Sequence, residues 1–334
     1  MSRGYAKHRK ELLEAAIKKN PEWPAMTLAK HLRAQYPKEW PTLDAARSSV
    51  RYVVGSSGKY RKHAIAPREP RKAGEDWTQY LPKEQRTLHE WGLFDIKGAH
   101  RALVLSDVHS PFYDEAALKL AIEYGRERDT TLVLLNGDIM DCYALSRWEK
   151  NPEIRDFPGE VRSGRDVLKA VRAAFPNARI IWKWGNHEER YDAHLRLNPD
   201  FYGLDDWKWE NVFRLPEHGI ELVKDKRPIQ LGKLSIIHGH EYGRGFTDPV
   251  SPARTFFLRA GVNVLGGHYH RTSQHSKRDL RQSVVSAWST GCLCEDHPHY
   301  RPLGDQNQGF AFVEVDPRGA FRVDNLRIID GRAW

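Results

Sequence analysis

An α/β domain preceded by a small all-α head is what this sequence predicts, and three observations carry the prediction. From residue 100 onward, short, mostly apolar runs of strand character (102–105, 132–135, 180–184, 234–237 and 262–265) are interleaved with segments of helical period at 114–126 and 160–174. Strand–helix–strand order of this kind builds an α/β sheet. The far end differs: 309–315, a turn at 316–319 and 321–328 read as an antiparallel hairpin. Residues 1–55 carry three helical patterns and no strand pattern.

In that head, 11–19 forms a short amphipathic pattern with Leu12, Leu13, Ala16 and Ile17 on one side, ended by Asn20-Pro21. A second helix covers 27–36 and stops before Pro37. Thr42 can cap a third over 43–54, with Ala46, Val50, Val53 and Val54 as its apolar stripe. Arg47 and Arg51 project from another side, with Ser48 between them. Three short helices of which the last shows arginines look like a helix-turn-helix module; a three-helix domain that docks a protein gives the same pattern. Charge favours the first reading. Residues 1–75 hold 17 Lys+Arg against 7 Asp+Glu, a surplus of ten, whereas the remainder holds 36 against 37. An asymmetry of this kind suggests a polyanion partner, most simply nucleic acid, with Arg47 and Arg51 as contacts; a solvated basic arm is the alternative. Residues 56–75, rich in Gly, Ser, Pro and charge, read as a linker. The domains expected are 1–55, this linker, and 76–334, with 76–98 packed on the outside of the last.

Composition narrows the class further. A length of 334 residues suggests roughly two domains at ~100–200 residues each. No apolar run reaches the ~18 residues of a membrane span, and no apolar signal core follows the basic start. Three cysteines, Cys142, Cys292 and Cys294, fit a reducing compartment, so a cytoplasmic protein is expected. Cys292-Leu-Cys294 offers half of a metal site at most; two small residues beside a strand end is the favoured reading.

Chemistry concentrates in five short blocks, each at the carboxyl end of one of the five apolar runs: Asp107-Val-His109, Gly137-Asp138-Ile-Met-Asp141, Gly185-Asn186-His187-Glu188, His238-Gly239-His240 and Gly267-His268-Tyr269-His270. That edge is where open α/β sheets place their ligands. Carboxylate oxygen with imidazole nitrogen suits Mn, Fe or Zn rather than an all-oxygen Mg or Ca set. The Asp-x-His and His-x-His spacings point two side chains to one side of an extended segment. Glycine lets the chain turn at a strand end without a Cβ clash.

These five blocks, in this order, resemble the calcineurin-like metallophosphoesterase superfamily over about 100–330. The resemblance implies a four-layer α/β/β/α sandwich and a binuclear metal site, with Mn foremost and Fe, Zn or Ni as alternatives. It implies that Asp107, His109 and His270 hold one ion, that Asn186, His238 and His268 hold the other, and that Asp138 bridges them, the ions ~3.5–4 Å apart. A hydroxide activated by both ions would attack phosphorus in line. His187 would give a proton to the leaving oxygen and Asp141 would orient His187. His240 would line the pocket or, the favoured reading, support the ligands from behind.

Departures bear on the substrate. The Ser/Thr protein phosphatase branch carries Gly-Asp-x-x-Asp-Arg-Gly, and its arginine grips phosphate. Here Cys142 and Tyr143 follow Asp141. A grip must come from elsewhere, with Arg190, Arg244 and Arg271 as candidates, each of them otherwise an ordinary surface arginine. Protein phosphatase therefore ranks below phosphodiesterase or nuclease acting on DNA or RNA. A small-molecule or nucleotide phosphatase with a docking head is the alternative, and a non-catalytic scaffold ranks last because every matching position is retained. One insertion, 198–215, holds Phe201, Tyr202, Trp207, Trp209 and Phe213. It reads either as a cap whose rings stack on bases or, the favoured reading, as a packed surface insertion.

Overall fold

A computed structural model describes residues 3–54, 76–84, 91–243, 250–295 and 304–334. The chain divides into two compact units, Met1–Gln85 and Arg86–Trp334. The expected linker lies outside the described residues.

The first unit contains helices α1 (Arg3–Lys19), α2 (Ala25–Gln35) and α3 (Leu43–Val54). Leu13, Ile17, Leu28, Leu32, Trp40, Ala46 and Val50 form its core. The third helix has the expected bounds, and Thr42 Oγ1 accepts from Ala45 N at 3.2 Å, as a cap should. The first is longer than expected, because its polar leading turns carry no apolar period to read.

The second unit runs, in chain order, through β1 (Phe94–Ile96), β2 (His100–Leu105), α4 (Glu115–Arg126), β3 (Leu132–Asn136), α5 (Phe157–Ala174), β4 (Arg179–Lys183), α6 (Glu188–Leu197) and α7 (Trp209–Val212). It continues with β5 (Ile220–Val223), β6 (Ile229–Leu231), β7 (Leu234–Ile236), α8 (Pro252–Ala260), β8 (Val264–Gly266), β9 (Ser273–Arg278) and β10 (Val284–Ser289), and ends with β11 (Gly309–Val315), β12 (Phe321–Ile329) and β13 (Arg332–Ala333). One sheet has the order β13-β12-β11-β2-β3-β4-β5, the other β1-β6-β7-β8-β10-β9. The strands β2 to β5 are mutually parallel, and β8 is parallel to both β7 and β10.

Three apolar layers account for the strand sequences. Leu103, Leu105, Val133, Leu135, Ile180 and Trp182 face α4 and α5. Their neighbours Ala102, Val104, Leu132, Leu134 and Ile181 face the second sheet, against Ile229, Leu231, Leu234, Ile236 and Leu265. Beyond that sheet, Ile237, Val264 and Ala287 pack on Ala253 and Phe256 of α8. Strands covered on both faces read as unbroken apolar runs rather than alternating ones, and the α/β/β/α sandwich follows.

Differences from the sequence reading have local causes. α5 begins at Phe157, three residues before the expected start, because Asp156 accepts from Gly159 N at 3.0 Å and Pro158 fits the first turn. The strands β1, β5 and β6 are too short to show a period. The edge strand β9, Ser-Gln-His-Ser-Lys-Arg, is polar throughout, as a strand that must not recruit another chain tends to be.

One charge is buried within the first sheet. Lys183, at the end of β4, is 1% exposed. Its Nζ lies 2.8 Å from Glu241 Oε1 and donates to Arg227 O at 2.9 Å. Glu241 accepts from the backbone N–H of His238 at 2.9 Å and of Gly239 at 2.6 Å. A buried ion pair thus fastens the loop after β7, in the second sheet, to a strand end of the first. Burial opposes the charged form of Glu241, but its neighbours, Lys183 foremost, bring the carboxyl down to about 2. That lies below its ordinary value of 4.5, so the pair's contribution is complete above that pH and is lost as pH falls towards 2. Lys183→Met should strand the carboxylate and cost about 3–5 kcal/mol in urea unfolding at pH 7. Adding Glu241→Gln should recover part of the loss, and Glu241→Gln alone should flatten the acid side of the stability profile.

Candidate metal centre

All five blocks follow parallel strands and gather at one edge: 107–109 after β2, 137–141 after β3, 185–188 after β4, 238–240 after β7 and 267–270 after β8. The backbone there is not extended. Asp107, His109, Asp138, His268 and His270 have φ of 56°, 53°, 51°, 70° and 56°. The two-residue spacings therefore converge through left-handed turns and not through strand alternation, a correction to the sequence reading. Such residues cost on the order of 1–3 kcal/mol each and persist where the surroundings over-determine them. Here loop-to-loop bonds do so: Asp107 N to Gly137 O at 3.1 Å, His109 N to Asp138 O at 2.9 Å, and Gly267 N to His238 O at 2.8 Å. The glycines also divide by reason. Gly137 has φ 83° and serves a turn, whereas Gly185 has an ordinary φ, and a Cβ on it would lie 2.2 Å from Asp138 Oδ1.

The ligand atoms converge in two groups. His270 Nε2 lies 3.1 Å from His109 Nε2 and 3.3 Å from Asp107 Oδ1. His238 Nε2 lies 3.1 Å from Asp138 Oδ2 and 3.9 Å from Asp107 Oδ1. Asp138, His238 and His268 each offer an atom within 4.8 Å of the others. Asp107 and Asp138 are buried; burial works against their charge, yet the surrounding histidines hold both well below the usual carboxylate range. His238 is driven the other way: burial opposes its charge, but Asp138 and Asp107 raise it to about 10. His268 is pushed down to about 4, first by burial and then by His238.

This donor set fits divalent ions on an observation independent of the resemblance. Asn186 Oδ1, His238 Nε2 and His268 Nδ1 are buried and have no hydrogen-bond partner, the nearest group to His238 Nε2 being the Asp138 carboxylate at 3.1 Å. A buried polar atom left unpaired is costly. Three such atoms, the same three that the resemblance assigns to one ion, are satisfied together by a cation. Two buried carboxylates add the negative charge that two cations would balance.

The support behind these atoms was largely missed from sequence. Glu188, fully buried, accepts from four backbone N–H groups: Ile139 at 2.8 Å, Met140 at 3.1 Å, Asp138 at 3.0 Å and Gly185 at 2.8 Å. It thereby joins the loop of Asp138 to that of Asn186 and His187. Ser106 Oγ donates to Asp107 Oδ2 at 2.6 Å, and Asn136 O accepts from His238 Nδ1 at 2.8 Å, which leaves Nε2 of that ring facing the site. Glu160 accepts from Tyr143 N and Ala144 N. A lysine inside the apolar run 180–184 was the readable signal for the Lys183–Glu241 pair; Glu188 stood in a quoted motif without a role.

Asp141 serves two rings. Its Oδ2 accepts from His109 Nδ1 at 2.9 Å and lies 3.4 Å from His187 Nδ1, while its backbone O accepts from His187 Nδ1 at 2.8 Å. His187 Nε2 is 3.8 Å from Asp138 Oδ2. Burial alone would lower the His187 pKa, but Asp138 and Asp141 raise it.

The remaining candidates separate. His240 Nε2 bonds Glu189 Oε1 at 3.0 Å and belongs to neither ligand group. Arg190 reaches His187 and Asp141, whereas Arg271 is paired with Asp305 at 2.6 Å. Arg244 lies outside the described residues. Arg47 and Arg51 are exposed on α3, Arg47 alongside Asp44. In the aromatic insertion, Trp209 and Phe213 are core residues packed on Trp182, whereas Phe201, Tyr202 and Trp207 are exposed. Cys294 Sγ lies 3.9 Å from His270 Nδ1, on the ring edge away from Asp107. No helix among the described residues is long and apolar enough to cross a membrane.

The chain is 28% identical over 254 residues to the Gene 54 protein of Mycobacterium phage L5, covering 70% of this chain and 98% of the relative. It is 27% identical over 179 residues to the Gene 54 protein of Mycobacterium phage D29, covering 51% and 69%. Similar solved structures include Vacuolar Protein Sorting 29 from Cryptosporidium parvum, with TM-score 0.39, 14% identity and coverage of 71% of this chain and 95% of that one. A dimetal phosphatase from Danio rerio has TM-score 0.33, 13% identity and coverage of 66% and 94%. The family model for calcineurin-like phosphoesterases matches residues 100–272, more than half of the chain; the protein belongs to the calcineurin-like phosphoesterase family, and is a metal-dependent hydrolase of phosphoesters.

Proposed function

We propose that this protein hydrolyses phosphodiester bonds in nucleic acid at a two-ion centre, with its basic head adding affinity for the polyanion. Asp107, His109 and His270 would hold one ion, Asn186, His238 and His268 the other, with Asp138 shared. The unpaired buried atoms of Asn186, His238 and His268 are the observation that carries this assignment. Divalent ions bound there would acidify water and spread the charge that develops on the phosphoryl oxygens, with Mn as the foremost candidate.

The chain's own residues supply the rest. His187 stands within reach of the same space and would protonate the leaving oxygen. Asp141 fixes the His187 ring through Nδ1 and, by its second contact, aims His109. Glu188 holds the two loops at fixed separation. No side chain is needed as a nucleophile, so no phospho-enzyme is expected. Support for nucleic acid as substrate comes from the surplus of ten positive charges in residues 1–75 and from the face of α3 that exposes Arg47, Ser48, Arg51 and Tyr52.

The direct test is incubation of the purified protein and Mn²⁺ with single- and double-stranded DNA and RNA. Cleavage of at least one is expected; turnover of small phosphoesters without cleavage of any would sink the nucleic-acid assignment. Asp138→Ala should lose both ions together by elemental analysis, and loss of only one would contradict a shared ligand. Glu188→Gln places an amide N–H₂ against backbone donors and should cost about 2–5 kcal/mol as well as bound metal. In nucleic-acid binding assays, Arg47→Ala with Arg51→Ala should weaken binding and reduce the salt slope by about 2, leaving small-phosphoester turnover intact.

A further inference from the structure

The phosphate grip that a related branch places directly after its second motif aspartate is absent here, where Cys142 and Tyr143 follow Asp141. We propose that Arg190 supplies that grip, and that it does so by leaving His187. The inference rests on the phosphoesterase reading of the site and adds to it the residue that recognises the substrate's anionic group.

Arg190 lies in the first turn of α6, three residues after His187, so its side chain returns along the helix towards that ring. Its side chain is 22% exposed and only partly enclosed. Nη1 donates to Asp141 O at 2.9 Å and lies 3.5 Å from Asp141 Oδ1; Nη2 donates to His187 Nε2 at 2.8 Å. Three of its five N–H groups are not used in these two bonds.

The contact with His187 is the informative one. Nδ1 of that ring donates to Asp141 O, and an imidazole nitrogen that accepts from a guanidinium presents a lone pair to it. A neutral imidazole nitrogen is also a single-point acceptor for a planar cationic fork, whereas a phosphoryl group offers charged oxygens in bidentate geometry. An arriving phosphoester is thus the better partner. When Arg190 turns to it, its contact with His187 Nε2 is given up. Arg271, by contrast, is already paired with Asp305.

The experiment uses the full chain loaded with Mn²⁺. Arg190→Ala and Arg190→Lys are compared with the parent for KM and kcat on a nitrophenyl phosphoester, for inhibition by inorganic phosphate, for direct calorimetric binding of inorganic phosphate, and for metal content. Arg190→Ala should raise KM and weaken phosphate binding together by about 10- to 100-fold while keeping its metal. Arg190→Lys should recover only part, and added guanidinium should restore activity to the alanine variant but not raise that of the parent. Unchanged KM and phosphate binding in Arg190→Ala would overturn the proposal. So would a loss of metal whose correction by excess Mn²⁺ restores KM, because Arg190 would then only brace the turn at Asp141. A parent protein that binds phosphate through Arg190 but hydrolyses no phosphoester would instead overturn the proposed function and leave the grip standing.

Discussion

Two ionised carboxylates, Asp107 and Asp138, lie buried where the carboxyl edges of two sheets meet, and the rest of the molecule is arranged around that expense. Removing such charge from water is costly without compensation. Compensation comes from both sheets: His270 and His268 from one, His109 from the other, with His238 held close to Asp138. Rigidity comes from elsewhere. Glu188 collects four amide donors, and the Lys183–Glu241 pair anchors the histidine loop. These second carboxylates carry no ligand role, yet each fixes a loop whose backbone would otherwise relax out of its left-handed conformation.

The two-sheet arrangement explains why site and core are hard to separate energetically. The strands that end in ligands are buried on both faces, so a ligand position is set by packing several residues upstream. Asn136 shows the coupling at one point. Its side chain donates to Ile237 O and its backbone O accepts from His238 Nδ1, so a residue at the end of one sheet places a ring that begins in the other.

Much of this was legible in sequence, and the limits have physical causes. Long apolar runs and ordered polar blocks announced β2, β3, β4, β7 and β8 with their ligands, because burial on both faces leaves a dense signal. The short strands β1, β5 and β6 and the polar β9 gave none. The mechanism of convergence was misjudged, since alternation assumes extended backbone and the ligand residues are left-handed. Supporting groups were invisible for another reason: Glu188 and Asn136 act through backbone atoms of distant loops, and Glu241 through a lysine of the other sheet, which no local pattern encodes. Lys183 was the exception, a charge placed in an apolar strand where only a buried partner makes it tolerable. The aromatic insertion resolved into two parts that sequence had merged, with Trp209 and Phe213 inside and Phe201, Tyr202 and Trp207 outside.

Because the two ligand groups draw on strands as far apart as β2 and β8, no short segment of the chain contains the site. During synthesis the first loops emerge with their carboxylates in place but without His268 and His270 to complete them. The centre can assemble only after the second sheet has closed over the first. A nascent chain that ends before His268 therefore lacks part of the ligand set, and the centre is completed late, together with the second sheet.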